Sequence, residues 1–202
     1  MASTASPYGL RAVNEIGGLP YAGSTRTFLI DPAGYNTNIF NGTVVYVNSS
    51  GYLNIVTGTG ADGTTNSFPG SGTLTGAVGV FVGCSYVNAQ GQQIWSQYYP
   101  ANTTGVVTAM VIDDPNVVFA VQANGSMAQT VLGNNVYFAN AQSTSTGSTT
   151  TGNSNVAVST SSVTTTAAFR IVGFASGPGD AYTDLLVKFN PGYHSYTNAV
   201  GV

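Results

Sequence analysis

The sequence predicts an all-β protein, with a β-barrel or β-sandwich body, an extended N-terminal arm and little or no helix. Three features lead to this prediction. Short runs rich in β-branched and aromatic residues recur along the chain, turn residues such as Gly, Asn and Pro separate them, and few segments suit a helix. Many short strands are typical of sandwiches and of barrels, and the sequence does not choose between the two.

The first 35 residues differ from the rest of the chain. Pro7, Pro20 and Pro32 disfavour both a helix and a central strand, because proline lacks the backbone N–H donor. The apolar residues between them keep neither the helical nor the strand period. We therefore expect an extended arm over residues 1–35, with a short strand at 26–30. Such an arm becomes ordered by lying on its own β body or on a neighbouring subunit, and both remain open.

Residues 36–202 are expected to form a β domain, which could consist of two β halves that meet near residues 123–135. Its strands are rich in Val, Ile, Tyr and Phe, and turn signals such as Asp113-Asp114-Pro115-Asn116 separate them. The predicted strands are 43–47, 52–56, 77–87, 92–99, 106–112, 117–122, 136–138, 156–158, 169–174 and 185–189. The first four of these form two hairpins.

Four other segments lack strand patterns. Residues 57–76 and 142–155 consist mostly of Gly, Ser, Thr and Asn, which predicts two long loops. Residues 126–132 are the one candidate for a short helix. Residues 190–197 combine Pro, Gly, Asn and aromatic residues, and we expect an irregular tail there.

Charge is scarce along the whole chain. Only 11 of the 202 residues, or 5%, are Asp, Glu, Lys or Arg, against about 25% in an ordinary soluble domain. The surface is therefore either neutral and inert or covered by partners. We favour an assembly, because charge normally keeps soluble proteins apart.

The distribution of charge argues against several partners. The four cations, Arg11, Arg26, Arg170 and Lys188, are scattered, so no basic stripe indicates nucleic-acid binding. No apolar run has the length of a bilayer-spanning helix, so we expect no membrane partner. The N-terminus lacks the basic and apolar regions of a secretory signal. We expect synthesis in a host cytoplasm and retention there until assembly.

Candidate catalytic groups are few. The single histidine, His194, has no Gly-x-Ser-x-Gly motif to support a Ser-His-Asp triad, and we expect it to form hydrogen bonds at the surface or an interface. Two aspartate pairs have explanations without a function: Asp113-Asp114 lies in a turn sequence, and Asp180 and Asp184 could close a turn or pair with Lys188 or Arg170. One His and one Cys make no zinc signature. The sequence thus predicts a protein that is not an enzyme and needs no cofactor or metal.

Apolar and aromatic residues of the second hairpin admit two interpretations. Cys84 lies in an apolar run and is predicted to be a small buried hydrophobe. Trp95, Tyr98 and Tyr99 follow in the next strand. Exposed Tyr and Trp can stack on sugars, whereas buried aromatics serve a core or a subunit interface. We favour the core or interface.

Several segments together carry a family resemblance. They are Ser6-Pro7-Tyr8-Gly9-Leu10-Arg11, Ile16-Gly17-Gly18, Ala22-Gly23-Ser24-Thr25-Arg26, Asn38-Ile39-Phe40-Asn41-Gly42-Thr43-Val44-Val45, Gly79-Val80-Phe81-Val82-Gly83-Cys84 and Tyr182-Thr183-Asp184-Leu185-Leu186-Val187-Lys188-Phe189-Asn190. With these segments the chain resembles the capsid cement, or decoration, proteins of marine and freshwater tailed bacteriophages of the podophage type.

The resemblance implies a structural virion protein. It implies a β-barrel-like body on the outer surface of the capsid, homotrimers at local three-fold positions, and the major capsid protein as partner. The expected function is to stabilise the phage head. The alternative is a receptor- or glycan-binding β module of a tail fibre or tail.

The arm is the expected capsid contact. The candidate contact residues are Tyr8, Leu10, Arg11, Ile16 and Arg26. Apolar residues in a segment that forms no core of its own are expected to enter a partner groove. The guanidinium of Arg11 can make a forked contact with a partner's carboxylate. Deleting residues 1–24 is therefore expected to leave a folded domain that no longer binds capsids.

Overall fold

The computed structural model describes residues 4–58, 76–143 and 145–198 of the chain. Two antiparallel sheets form a sandwich-like body, which confirms the predicted all-β class. Sheet I contains, in spatial order, β1 (Arg11–Glu15), β8 (Val117–Gln122), β11 (Asp184–Phe189), β10 (Phe169–Phe174) and β9 (Asn135–Val136). Sheet II contains β2 (Arg26–Ile30), β7 (Val107–Ile112), β5 (Gly79–Val87), β3 (Val44–Val47) and β4 (Leu53–Ile55), and β6 (Gln93–Ser96) also pairs with β5.

Most of the predicted strands are present. Both predicted hairpins form, one from β3 and β4 and the other from β5 and β6. The long strand β5 pairs with β7 along one edge, while β3 and β6 share its other edge. The predicted strand at 26–30 coincides with β2. The predicted loop at 57–76 falls mostly outside the described residues.

Residues 156–158 and 126–132 differ from the predictions, and the strands predicted at 92–99 and 136–138 are shorter, at Gln93–Ser96 and Asn135–Val136. Residues 156–158 form no strand, because Val158 makes only single bridges to Ala123 and Phe138. Residues 126–132 contain only a 3-10 turn, Gln129–Val131, and the tail contains another, Ser195–Thr197. Across the part of the chain that the structure describes, no helix is long and apolar enough to span a membrane.

Two hydrophobic clusters form the core. The first lies between the sheets and includes Phe119, Ile171 and Leu185 of sheet I with Val44 and Val80 of sheet II. Aromatic edge-to-face contacts strengthen it, as between Phe119 and Phe189, whose ring centroids are 5.8 Å apart. These contacts join strands that are distant in sequence.

The second cluster lies on the other face of sheet II. Val45 and Phe81 each follow a residue of the first cluster, so the alternation of side chains along a strand places them on the opposite face. Ile39 and Tyr99, from connections outside the strands, pack with them there. Backbone hydrogen bonds between Ile39 and Tyr99 hold these two connections together. Sheet II is therefore buried on both faces over part of its area.

The N-terminal segment is part of both sheets. Strand β1 is the outer strand of sheet I and pairs with β8, while β2 is the outer strand of sheet II and pairs with β7. The arm was expected to lie either on its own β body or on a neighbouring subunit. In the structure its described part lies on its own β body. The chain passes from sheet II to sheet I between β7 and β8, at residues 113–116, ahead of the boundary expected near 123–135.

Candidate functional site

Leu10, an expected capsid contact, lies inside the protein. Its side chain is 1% exposed and belongs to the cluster between the sheets. Its backbone N–H donates to the carbonyl of Gly42 at 3.0 Å. In this structure Leu10 is therefore not accessible to a partner, because the chain just before β1 pairs with Gly42 and directs the side chain into the chain's own core.

Tyr8 and Arg11 bind the N-terminal segment to the body. The Tyr8 hydroxyl donates to Asp184 Oδ1 at 3.1 Å, and burial beside this carboxylate raises the pKa of Tyr8. Arg11 donates from Nη1 to Asn41 and from Nη2 to Asn153 Oδ1, the latter at 2.6 Å. The forked contact expected with a partner's carboxylate is thus made with two amides of the same chain.

Ile16 and Arg26 remain at the surface. The side chain of Ile16 is about half exposed. Arg26 forms an ion pair from Nε to Asp113 Oδ2 at 2.8 Å, and its guanidinium lies over the ring of Tyr196 at 5.5 Å from the centroid. Of the five expected contact residues, these two are the most accessible to a partner.

The groups considered for catalysis have structural roles. Cys84 is buried, as predicted, and burial raises the pKa of its thiol to about 12, which disfavours the reactive thiolate. Asp113 forms an ion pair with Arg26 and accepts a hydrogen bond from the Tyr196 hydroxyl, and Asp114 accepts from the Asn116 backbone N–H in its turn. Among the described residues, no group of three or more His, Cys, Asp or Glu could hold a metal ion.

His194 is buried, contrary to the surface or interface position expected from the sequence. Its Nδ1 accepts from the backbone N–H of Tyr196 at 3.3 Å, and its ring packs edge-on against Phe189. Burial lowers the pKa of His194 to about 4, so the ring is neutral at pH 7. The tail lies along Ala77, just before β5, where the Ala77 N–H donates to the Tyr193 carbonyl and the Ser195 N–H donates to the Ala77 carbonyl. This pairing, together with the contact with Phe189, accounts for the burial of His194.

An exposed row of side chains crosses one half of sheet II. The register aligns Leu29 of β2 with Thr108 of β7, Thr108 with Ser85 of β5, and Ser85 with Trp95 of β6. Residues opposite one another in paired strands present their side chains on the same face of the sheet. The next row continues this face with Val87 and Val106 by the two-residue period. We call the surface formed by Leu29, Ser85, Val87, Trp95, Val106 and Thr108 the Trp95 face.

The Trp95 face is mostly apolar, with the hydroxyls of Ser85 and Thr108 at its centre, and it is uncharged and accessible. The exposed fractions are 72% for Trp95, 71% for Val106, 52% for Val87 and 48% for Leu29. None of its six residues carries a charge. Scattered exposed apolar residues are normal, whereas several of them on one face of a sheet make that face a candidate interaction surface.

The position of sheet I explains why this half of the face is open. The cluster between the sheets includes Val44, Val80 and Ile112 of sheet II, and it does not extend to Leu29 or Trp95. Sheet I therefore covers only one half of this face. The sequence places Trp95 in a strand, but it does not show which half of the sheet a second layer covers.

Comparisons with protein-family models, with curated proteins and with solved structures found no match to this chain.

Proposed function

We propose that the chain is a structural virion protein, a capsid decoration protein of a tailed bacteriophage, and that the Trp95 face binds the major capsid protein on the outer surface of the head. In this proposal the protein stabilises the head, forms homotrimers, uses no cofactor and binds neither nucleic acid nor membrane. The resemblance in the sequence motivates the proposal, and the Trp95 face is the observation that supports it most directly.

The Trp95 face has the composition of a protein-binding surface. Binding energy at such surfaces concentrates in a few residues, and tryptophan is among the commonest of them. Removing the exposed apolar area of Trp95 and Val106 from water contributes about 25 cal/mol per Å² of buried surface. Because the face carries no charge, a partner surface that binds there needs no oppositely charged side chains.

A repeating lattice suits a protein with one moderate interface. Each copy can bind the capsid weakly. When copies are linked in a trimer, binding of one copy raises the effective concentration of the others at neighbouring capsid sites, so the trimer as a whole binds tightly. The two-sheet body supplies a stiff scaffold for such a contact.

A second candidate is a glycan-binding module of a phage tail. The observation that favours it is the setting of Trp95, whose row contains the hydroxyls of Ser85 and Thr108. An exposed aromatic ring beside hydroxyl groups can also stack on a sugar. This candidate predicts monovalent affinity for a glycan and few copies per particle.

Head binding by a Trp95 variant tests the proposal. Heads that lack the protein would be mixed with the purified chain or with Trp95→Ser, and bound copies would be counted after sedimentation. We expect Trp95→Ser to reduce binding by at least about tenfold, since it removes the largest apolar side chain of the face. An unchanged melting temperature would show that the variant is folded.

The matched control is Leu19→Ser, which removes an exposed apolar side chain outside the Trp95 face. It should bind heads like the wild type. Equal binding by Trp95→Ser and wild type would exclude the Trp95 face as the attachment site. Binding to glycans that is lost in Trp95→Ser, without binding to heads, would favour the second candidate.

A further inference from the structure

A cleft of about 310 Å³ lies on sheet I, beside β9 and β10. Its lining includes Asn135, Thr164, Thr165, Thr166, Arg170 and Asn190. The lining contains hydroxyl and amide groups and one guanidinium, but no carboxylate. The cleft therefore offers hydrogen-bond donors and positive charge to a small ligand.

The lining contains one of the four cations of the chain, Arg170, and a second cation lies beside it on the neighbouring strand. Arg170 of β10 and Lys188 of β11 occupy directly opposite positions in the register of the two strands. Their side chains share one face of the sheet, and like charges in such a pair destabilise it. Neither cation forms an ion pair with any residue that the structure describes. The ion pair found among those residues joins Arg26 to Asp113. An anionic ligand would relieve this repulsion.

Buried amides hold the guanidinium of Arg170 in place. Its Nε donates to Asn135 Oδ1 at 3.0 Å, and Asn135 is only 6% exposed. Asn135 is itself fixed, because its Nδ2 donates to the Thr165 carbonyl at 2.7 Å and its Oδ1 also accepts from Asn190 Nδ2 at 3.0 Å. The Nη groups of Arg170 donate to no described residue and remain available. A donor that is already oriented loses little entropy on binding.

We propose that this cleft binds a small hydroxylated carboxylate of the size of one sugar-acid residue, such as a uronic acid. The carboxylate accepts hydrogen bonds from the Nη groups of Arg170, which match its planar geometry, and Lys188 adds a second positive charge beside them. The hydroxyls of Thr164, Thr165 and Thr166 face the sugar hydroxyls as donors and acceptors.

The lining favours a sugar acid over other anions. A bare phosphate can accept hydrogen bonds from the cations and from the threonine hydroxyls, but it donates few of its own. Sugar hydroxyls both donate and accept, so they also use the acceptor oxygens of the three threonines. An acidic peptide would need an extended groove, whereas this site is a short, open depression of about 310 Å³ between the loop at 164–166 and β10. The inference does not rest on the proposed function, since the cleft and the Trp95 face belong to different sheets.

Titration of the full chain with small acids and sugars tests the proposal. Amide chemical shifts of Thr164, Thr165 and Arg170 would be followed by NMR with D-galacturonate, D-galactose, acetate, inorganic phosphate and the peptide Gly-Glu-Gly as separate probes. We expect saturable shifts with galacturonate at a Kd on the order of 1 mM. The other four probes should each bind at least about tenfold more weakly, because each lacks the charge, the hydroxyls or the fit.

Variants assign the binding to the cleft. Arg170→Gln should weaken galacturonate binding by at least about tenfold, while Arg26→Gln, which removes the same charge elsewhere, should leave it unchanged. Thr165→Ala should weaken binding of galacturonate but not of acetate. Three outcomes would overturn the proposal: no saturable shifts with galacturonate, wild-type affinity in Arg170→Gln, or binding of phosphate or the peptide as tight as that of galacturonate.

Discussion

Single side chains connect parts of this chain that are far apart in sequence. The side-chain amide of Gln142 is buried and bonds to backbone groups that a neighbouring strand would otherwise pair. It donates to the carbonyls of Val44 and Val56 and accepts from the Val44 N–H, at 2.7 to 2.9 Å. Arg11 joins β1 to Asn41 and Asn153 in a similar way. In a chain with few charges, neutral amides carry the connections that ion pairs carry elsewhere.

His194 makes the stability of the fold depend on pH. An unfolded histidine binds a proton below about pH 6.5, whereas burial lowers the pKa in the folded state to about 4. Between these values the unfolded chain holds more protons, so stability decreases as the pH falls from about 7 to 4. Protonation of Nδ1 would also displace the Tyr196 N–H bond. We expect a loss on the order of 3 kcal/mol from this group.

Denaturant unfolding at several pH values measures this dependence. His194→Asn keeps an oxygen that can accept from the Tyr196 N–H and does not titrate. The free energy of unfolding of wild type minus that of His194→Asn should therefore decrease as the pH is lowered through this range. Parallel curves for the two proteins would contradict the depressed pKa.

At the scale of elements, the N-terminal strands complete the two sheets. Strand β1 covers the outer edge of β8, and β2 covers that of β7, so both sheets depend on residues before 31. Register shifts in three strand pairs, for example between Phe81 and Gly83 in β5, bend the strands around the two clusters. An edge strand that is removed leaves its neighbour's backbone groups unpaired and open to aggregation.

Deletion of residues 1–24 should therefore unfold the protein or cause aggregation, in contrast to the folded domain expected from the sequence. The deletion removes β1, the buried side chain of Leu10 and the bonds of Tyr8 and Arg11. Leu10→Ala alone should cost about 2–5 kcal/mol, out of a total stability of about 5–15 kcal/mol. Thermal melting followed by circular dichroism measures both changes.

Leu19→Ser again serves as the control, because it lies in the same segment with its side chain exposed. Its melting curve should match that of the wild type. A truncated protein that melts cooperatively at the wild-type temperature would show that the N-terminal segment contributes little to the fold.

For the molecule as a whole, scarce charge is the dominant property. The net charge is -3 over 202 residues. One of the chain's few cations, Arg26, is paired with Asp113 of the same chain. Repulsion between copies is correspondingly weak. The open half of sheet II and the compact two-sheet body suit a protein that functions in contact with others.

We expect the purified chain to form a trimer in solution, as the proposed function requires. Light scattering should give three times the chain mass of 20.6 kDa. The mass should not change between about 0.1 and 1 M NaCl, because an interface with few charges is little affected by screening. Trp95→Ser should remain a trimer, since that face is assigned to the capsid. A monomer mass for the wild type at every concentration would refute self-association.

The sequence alone determined the local features of this protein. Strand positions such as 26–30, the two hairpins, the buried Cys84 and the scarcity of charge all follow from composition and from the two-residue period. Only the tertiary structure decided which layer covers each strand face. The period separates the two faces of a strand but does not show which one is covered, so Leu10 is buried and Trp95 exposed. Pairing across more than a hundred positions, as between β1 and β8, depends on the packing of the whole chain and leaves no local signal in the sequence.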